Sequence, residues 1–182
     1  MSEKYKFNNE DGIYFITISL VGWIDLFTDK TYCDIVLDSL RYCRKVKGLV
    51  IHAWCIMPSH LHLIVSRNGE ESLSGIVRDF KKFTSKAIIN KIEKTEDNRK
   101  EKLLQTFKKA AIPLNRIFNY KVWQDGNHPV ELDTNRMLDQ RLSYLHNNPV
   151  EKGFVSGAED YSYSSAIDYA GGKGLLEIEI ID

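Results

Sequence analysis

The chain has 182 residues, 43% of them hydrophobic, with 25 basic and 25 acidic side chains and no formal net charge, enough material for one buried core. No run of about 18 apolar residues is present to cross a membrane, and no charged-then-apolar leader opens the sequence, so the expectation is a soluble, cytoplasmic protein. Cys33, Cys43 and Cys55 are odd in number and form no Cys-x-x-Cys pair, which argues against a disulfide framework or a zinc knuckle and for packing residues in a reducing compartment.

The elements follow from periodicity. Ile13 to Leu20 is a β-branched and aromatic run that predicts a strand. Asp29 to Lys47 carries Ile35, Val36, Leu37, Leu40 and Cys43 at helical spacing, with Gly48 placed to end the helix. Leu49 to Met57 and His60 to Ser66 read as two strands joined by Pro58-Ser59, a hairpin. Leu73 to Ile92 predicts an amphipathic helix with Leu73, Ile76, Val77, Phe80, Phe83, Ala87 and Ile88 inward and Arg78, Lys81, Lys82 and Lys86 largely elsewhere. Glu93 to Arg116 is charged and helical in composition, and is expected to leave the core. A strand around Phe118 to Trp123 then completes a β-α-β-β-α-β order, the ferredoxin-like α+β arrangement of an antiparallel sheet with helices on one face. A last helix, Asp133 to Asn148, has Asp133 or Thr134 as cap, Leu138, Leu142 and Leu145 as an apolar stripe, and Pro149 as its stop. The expected organisation is one domain over residues 1–182, with the charged excursion at about 93–116 and a solvated acidic tail from about 171.

Charge is unevenly spread. Arg78 to Lys121 holds thirteen basic and five acidic residues, a net of +8, whereas Glu151 to Asp182 holds seven acidic and two basic. That pattern suits one phosphate-attracting surface and one solvating end, or simply solvated lysine-rich helices.

His60 and His62 lie two apart in a strand, so both side chains project from one face while Leu61 and Leu63 pack on the other. A pair of metal ligands and an incidental half-buried polar pair are both open readings of these residues. Tyr144 and Asn148 are four apart, hence neighbours on one helix face and off the apolar stripe. A nucleophile beside a further ligand, and an ordinary half-buried tyrosine, are again both open.

Taken in order, Pro58-Ser59-His60-Leu61-His62 after a Trp54-containing strand, Phe80-Lys81-Lys82-Phe83-Thr84-Ser85, Val122-Trp123-Gln124, Tyr144-Leu145-His146-Asn147-Asn148-Pro149-Val150 and the tail segment Tyr161-Ser162-Tyr163-Ser164-Ser165 resemble the single-tyrosine transposases of the HUH superfamily, in particular the REP-associated tyrosine transposases. The resemblance covers roughly residues 10 to 170. It implies that His60, His62 and Asn148 hold Mg²⁺ or Mn²⁺, and that Tyr144 is the nucleophile forming a 5′-phosphotyrosine with single-stranded DNA. It also implies a substrate with a DNA hairpin and a short adjacent guide sequence, a nucleoid-associated location, and either a monomer or a homodimer. Arg78, Lys81, Lys82 and Lys86 are candidates for phosphate contact, and Trp123, Tyr120 and His128 for stacking on or positioning unpaired bases. His52 is a candidate partner behind the histidine pair, with a structural role favoured, and His146 is not a ligand. A histidine-triad nucleotide hydrolase is excluded because position 64, where a third histidine belongs, is isoleucine. A catalytically silent, domesticated DNA-hairpin-binding protein on the same scaffold stays open, because function lives in the site rather than the fold.

Overall fold

The computed structural model describes residues 7–96, 98–112 and 119–181; Arg116 and Phe118, which bound two of the expected segments, lie outside them. Its elements are β1 (Tyr14–Ser19), α1 (Lys30–Lys47), β2 (Leu49–Met57), β3 (His60–Arg67), α2 (Leu73–Lys94), α3 (Lys100–Ala111), β4 (Val130–Glu131), α4 (Asn135–Glu151) and α5 (Ala166–Tyr169). The four strands form one antiparallel sheet in the order β2-β3-β1-β4. This is the ferredoxin-like α+β arrangement, with helices α1 and α2 as the two crossovers.

Local chemistry sets the helix ends. The Asp29 carboxylate accepts from the Thr31 N–H at 2.8 Å to start α1, and Gly48 ends it in the left-handed region at φ +73°. A side chain at Gly48 would also collide with the Asn68 carbonyl, so glycine is required there twice over. The Ser72 hydroxyl accepts from the Gly75 N–H at 3.1 Å to start α2.

The alternation of β1 and β3 divides the core in two. Tyr14, Ile16, Ile18, Leu61, Leu63 and Val65 face α1 and α2, whereas Phe15 and Ile64 join Ala53, Cys55, Met57, Leu132, Leu138 and Leu145 on the face covered by α4. In β2 the register with β3 slips between Ile51 and Ala53. The slip lets Ile51, Trp54 and Ile56 all reach the α1/α2 side.

Several expectations are corrected. The described part of the Glu93 to Arg116 segment does not leave the core: α3 sends Leu103, Phe107 and Ala111 inward. Phe83 points out, 61% exposed, and Thr84 takes the core position beside it. The fourth strand is Val130–Glu131 rather than the Phe118–Trp123 stretch, and Trp123 makes only an isolated bridge to Leu20. The returning chain meets β1 at several points: the Gln124 N–H donates to the Ser19 carbonyl at 2.8 Å, the Thr17 N–H donates to the Asn127 carbonyl at 3.0 Å, and Val130–Glu131 pairs with Phe15 and Tyr14. Pro149 lies inside α4 rather than stopping it. The proline gives up its N–H bond and crowds the Leu145 carbonyl, but the helix has only two residues left to run, and the chain turns away at Gly153, φ +74°. The acidic tail is docked by its backbone and by the buried Leu176, while its acidic side chain Glu177 stays in solvent. The Ile56 N–H bonds the Tyr163 carbonyl at 2.8 Å and the Glu179 N–H bonds the Ile51 carbonyl at 2.9 Å, which covers the outer edge of β2.

Candidate functional site

The β2–β3 turn is held from outside the hairpin. The Leu20 N–H donates to the Ser59 carbonyl and the Phe27 N–H to the Pro58 carbonyl, each at 2.9 Å. The base of β3 is thus anchored to the chain that leaves β1. From that base His60 and His62 project onto the α4 face, with their Nε2 atoms 3.2 Å apart. Cross-strand pairing places Thr17 opposite His62 and Ser19 opposite His60. The Thr17 hydroxyl lies 2.9 Å from His62 Nδ1, and the Ser59 hydroxyl 3.2 Å from His60 Nδ1. With Thr17 accepting the Nδ1 proton, His62 Nε2 keeps its lone pair directed into the site.

Helix α4 closes the same patch. Thr134 caps it, accepting from the Met137 N–H at 3.3 Å. One turn apart on its inner side, Tyr144 lies edge-on to His62 with ring centroids 5.4 Å apart, and Asn148 Nδ2 is 3.4 Å from His62 Nε2. Phe15 stacks on His62 at 5.3 Å and meets Tyr144 at 6.0 Å, filling the space beneath both. The Arg141 guanidinium lies 5.1 Å above the Phe15 ring. Tyr144 itself is 41% exposed, so its ring is placed by packing while part of it is open to solvent.

Burial keeps the imidazoles neutral at physiological pH. His62 is held down to about 3, first by burial and then by His60 and Arg141; His60 is lowered by burial and by Lys152. Neutral imidazoles are the form that ligates a metal.

Among the described residues no group of three His, Cys, Asp or Glu side chains is placed to hold a metal ion, so an ion here would rest on two imidazoles and one amide. The donor set fits that role on two observations. The 3.2 Å between the Nε2 atoms is close to the separation of about 3 Å expected of adjacent donors at about 2.1 Å from one octahedral ion. Asn148 Oδ1 is buried without any hydrogen-bond partner, an arrangement that costs free energy unless another group completes it. A half-turn of the amide would put that oxygen where Nδ2 now stands beside His62.

The other sequence candidates are placed elsewhere. Arg78, Lys82 and Lys86 are exposed on α2, on the opposite face of the sheet from the histidines, and Arg78 contacts Asp79 at 3.3 Å. Lys81 directs its ammonium at the Gln124 carbonyl (2.8 Å), the Gly126 carbonyl (3.1 Å) and Asn127 Oδ1 (3.0 Å), and burial pushes it down to about 8. It latches the 124–127 loop. Trp123, expected to stack on bases, is a core residue, 3% exposed, between Phe27 and Phe80, with its indole N–H donating to the Thr84 hydroxyl at 2.9 Å. No face of it is free for a base. Tyr120 packs partly buried against the same core. His128 is exposed in the loop whose Asn127 carbonyl accepts from the Thr17 N–H at 3.0 Å. His52 lies far from the pair, between Ser66 and the Glu179 carbonyl, and His146 bonds the Ser165 hydroxyl at 2.9 Å; both are structural.

Sequence reasoning missed Thr17, Ser59, Arg141, Lys152 and Trp23. Thr17 is visible only once the β1–β3 register is known. Arg141 could have been found, because it precedes Tyr144 by three residues and so shares its helix face. Trp23 is 60% exposed and meets His60 edge to face at 5.8 Å. Its backbone is left-handed, φ +52°, directly after Gly22 at φ +69°, a conformation costing on the order of 1 kcal/mol for a residue with a side chain.

Comparison with known proteins bears on the whole arrangement. The family model described as "Transposase IS200 like" matches residues 25–107, a stretch that includes both histidines and ends before α4. A solved REP-associated tyrosine transposase bound to a REP hairpin superposes with a TM-score of 0.68 at 19% identity, covering 100% of this chain and 94% of that one; the two share a fold. A candidate transposase of Deinococcus radiodurans gives a TM-score of 0.46 at 15% identity, covering 80% of this chain and 97% of that one. No curated protein matches the chain.

Proposed function

We propose, from the premise that this chain is related to the IS200-like transposases, that it cleaves and rejoins single-stranded DNA through a 5′-phosphotyrosine on Tyr144. The reading is carried by one observation: Tyr144, His60, His62 and the unpartnered amide oxygen of Asn148 converge on one patch from β3 and α4. His60, His62 and Asn148 would hold a Mg²⁺ or Mn²⁺ ion, the imidazoles suiting Mn²⁺ somewhat better. Such an ion, when bound, polarises the scissile phosphate and offsets the charge that builds on it.

The chain's own residues supply the rest. Arg141 and Lys152 flank the patch with positive charge that draws in a phosphate. Packing against Phe15 and His62 fixes the Tyr144 ring. The phenol oxygen attacks phosphorus, the bond to the 3′ oxygen breaks, and the proton lost from the phenol is balanced by the one gained by the departing 3′ hydroxyl. A covalent ester conserves the bond for transfer to another 3′ end, which hydrolysis would discard. All these groups belong to one chain, so a monomer suffices for cleavage.

The substrate proposed is a DNA hairpin with adjoining single strand, supported by the fold shared with a hairpin-bound transposase. The test is incubation of the protein and Tyr144→Phe with Mn²⁺ or Mg²⁺ and labelled hairpins from the DNA flanking its gene. A covalent protein–DNA band that vanishes in Tyr144→Phe is the expected result. Binding without that band, across both metals, would instead make the chain a non-catalytic hairpin-binding protein.

A further inference from the structure

Trp23 is the one tryptophan of the three that solvent reaches: Trp54 is 0% and Trp123 3% exposed, against 60% for Trp23. An exposed indole is usually a side chain free to swing. Here the backbone fixes the point from which the indole projects, and His60 meets its ring. The Val21 N–H donates to the Val122 carbonyl at 2.9 Å and the Trp23 N–H to the Leu20 carbonyl at 3.3 Å, and Gly22-Trp23 is a left-handed pair. The chain maintains an unfavourable backbone state whose visible consequence is a large aromatic surface presented beside His60, with the rings 5.8 Å apart and near perpendicular.

The surroundings suit a nucleic-acid strand. A Cβ on Gly22 would come within 3.4 Å of Thr106 Cγ2, so the Trp23 turn is seated against α3. Lys102 and Lys109, one turn to either side of Thr106, are both exposed. The indole therefore stands between the histidine pair and a basic helix. Aromatic surface next to positive charge is how unpaired nucleotides are held without reading their sequence.

We propose that Trp23 is the stacking platform for an unpaired base of the DNA strand, that of the nucleotide adjoining the phosphate held at His60 and His62, with the strand continuing toward α3. The inference rests on the single-strand DNA reading of the site and adds the residue that seats the base.

The test exploits the burial of the other two indoles and is run in EDTA, so that no cleavage occurs. Single-stranded oligodeoxythymidylate should quench the solvent-exposed tryptophan emission of the wild type, and a blunt duplex should not. Affinity is followed in parallel by anisotropy of labelled oligonucleotide. Trp23→Asn, which suits the left-handed backbone, should fold at least as stably as the wild type yet bind single strands about tenfold more weakly. Trp23→Phe, which keeps a ring, should stay within about threefold. Unchanged affinity in Trp23→Asn, or tight binding without quenching, overturns the platform and leaves the cleavage site standing. A wild-type protein that binds no single strand overturns the platform, whereas the cleavage reading stands or falls on the covalent-band assay with hairpin and metal.

Discussion

Replacing Thr17 with valine tests whether the hydroxyl behind His62 sets the state of the ligand pair. Valine keeps the β-branch that suits a strand and nearly the same volume, so packing against β3 is preserved and the change is confined to one oxygen. That oxygen is 2.9 Å from His62 Nδ1, on a residue only 3% exposed, where water cannot readily replace it. Two responses are open to the imidazole. Keeping the proton on Nδ1 leaves a buried donor unsatisfied, at about 1–3 kcal/mol of stability. Moving it to Nε2 satisfies it against His60 Nε2, 3.2 Å away, but removes the lone pair that faces the site. Either way Mn²⁺ affinity should fall about 10- to 100-fold. Calorimetric Mn²⁺ titration gives the affinity, urea melts give the stability, and nitrogen-detected NMR of the imidazoles identifies the tautomer. If Mn²⁺ affinity stays within twofold and the tautomer is unchanged, Thr17 does not orient the ligand and the reasoning is wrong.

Acid should weaken the fold well above the carboxylate range. His62 and His146 are held down to about 3 and about 4, both chiefly by burial, against about 6.5 in an unfolded chain. The unfolded state therefore takes up protons first, and stability fully present above pH 6.5 is lost as pH falls toward 4. Between pH 7.5 and 5 the two together should remove about 4 kcal/mol; an equal urea midpoint at those two pH values would sink this account. Lys81→Met should cost about 1–2 kcal/mol by releasing the 124–127 loop, while leaving the salt dependence of DNA binding unchanged. A drop of about one in the slope of log affinity against log salt would show that Lys81 contacts phosphate after all.

What was legible in the chain was whatever short-range periodicity encodes. The alternation of Leu61, Leu63 and Val65 against His60, His62 and Ile64 declares two faces of a strand, and the four-residue interval declares that Tyr144 and Asn148 are neighbours. Pro58-Ser59 between two apolar runs declares the turn. Which faces meet is not a local property. Thr17 looks like any strand threonine until the register puts it opposite His62. Trp123, a stacking candidate, proves to be core and Trp23, which drew no notice, proves to be exposed, because burial depends on what packs above: Phe27 and Phe80 enclose Trp123, whereas two left-handed residues lift Trp23 out. Lys81 reads as one of several surface lysines, and only the folded loop shows three oxygens gathered around it. The docking of the tail was hidden for the same reason, since its bonds to β2 are backbone bonds that acidic side chains do not announce.

The charge of the site follows from its burial and says what it is built to receive. Two imidazoles kept neutral and one amide carry no negative charge, so the donors alone give a divalent cation no Coulombic attraction. Arg141 and Lys152, whose proximity helps depress the histidines, repel it. The same two cations favour a phosphate, which brings the negative charge the donors lack. On the proposed reading, metal and phosphate at this patch would be complementary rather than independent: whichever bound first would reduce the electrostatic cost of the second, and linkage would make that help mutual. A site with a carboxylate in place of Asn148 would hold its ion in the absence of DNA. On the function proposed above, a patch neutral in its donors and positive at its rim would couple retention of an ion to the presence of a DNA phosphate, and so would confine phosphodiester chemistry to the moment a strand is seated.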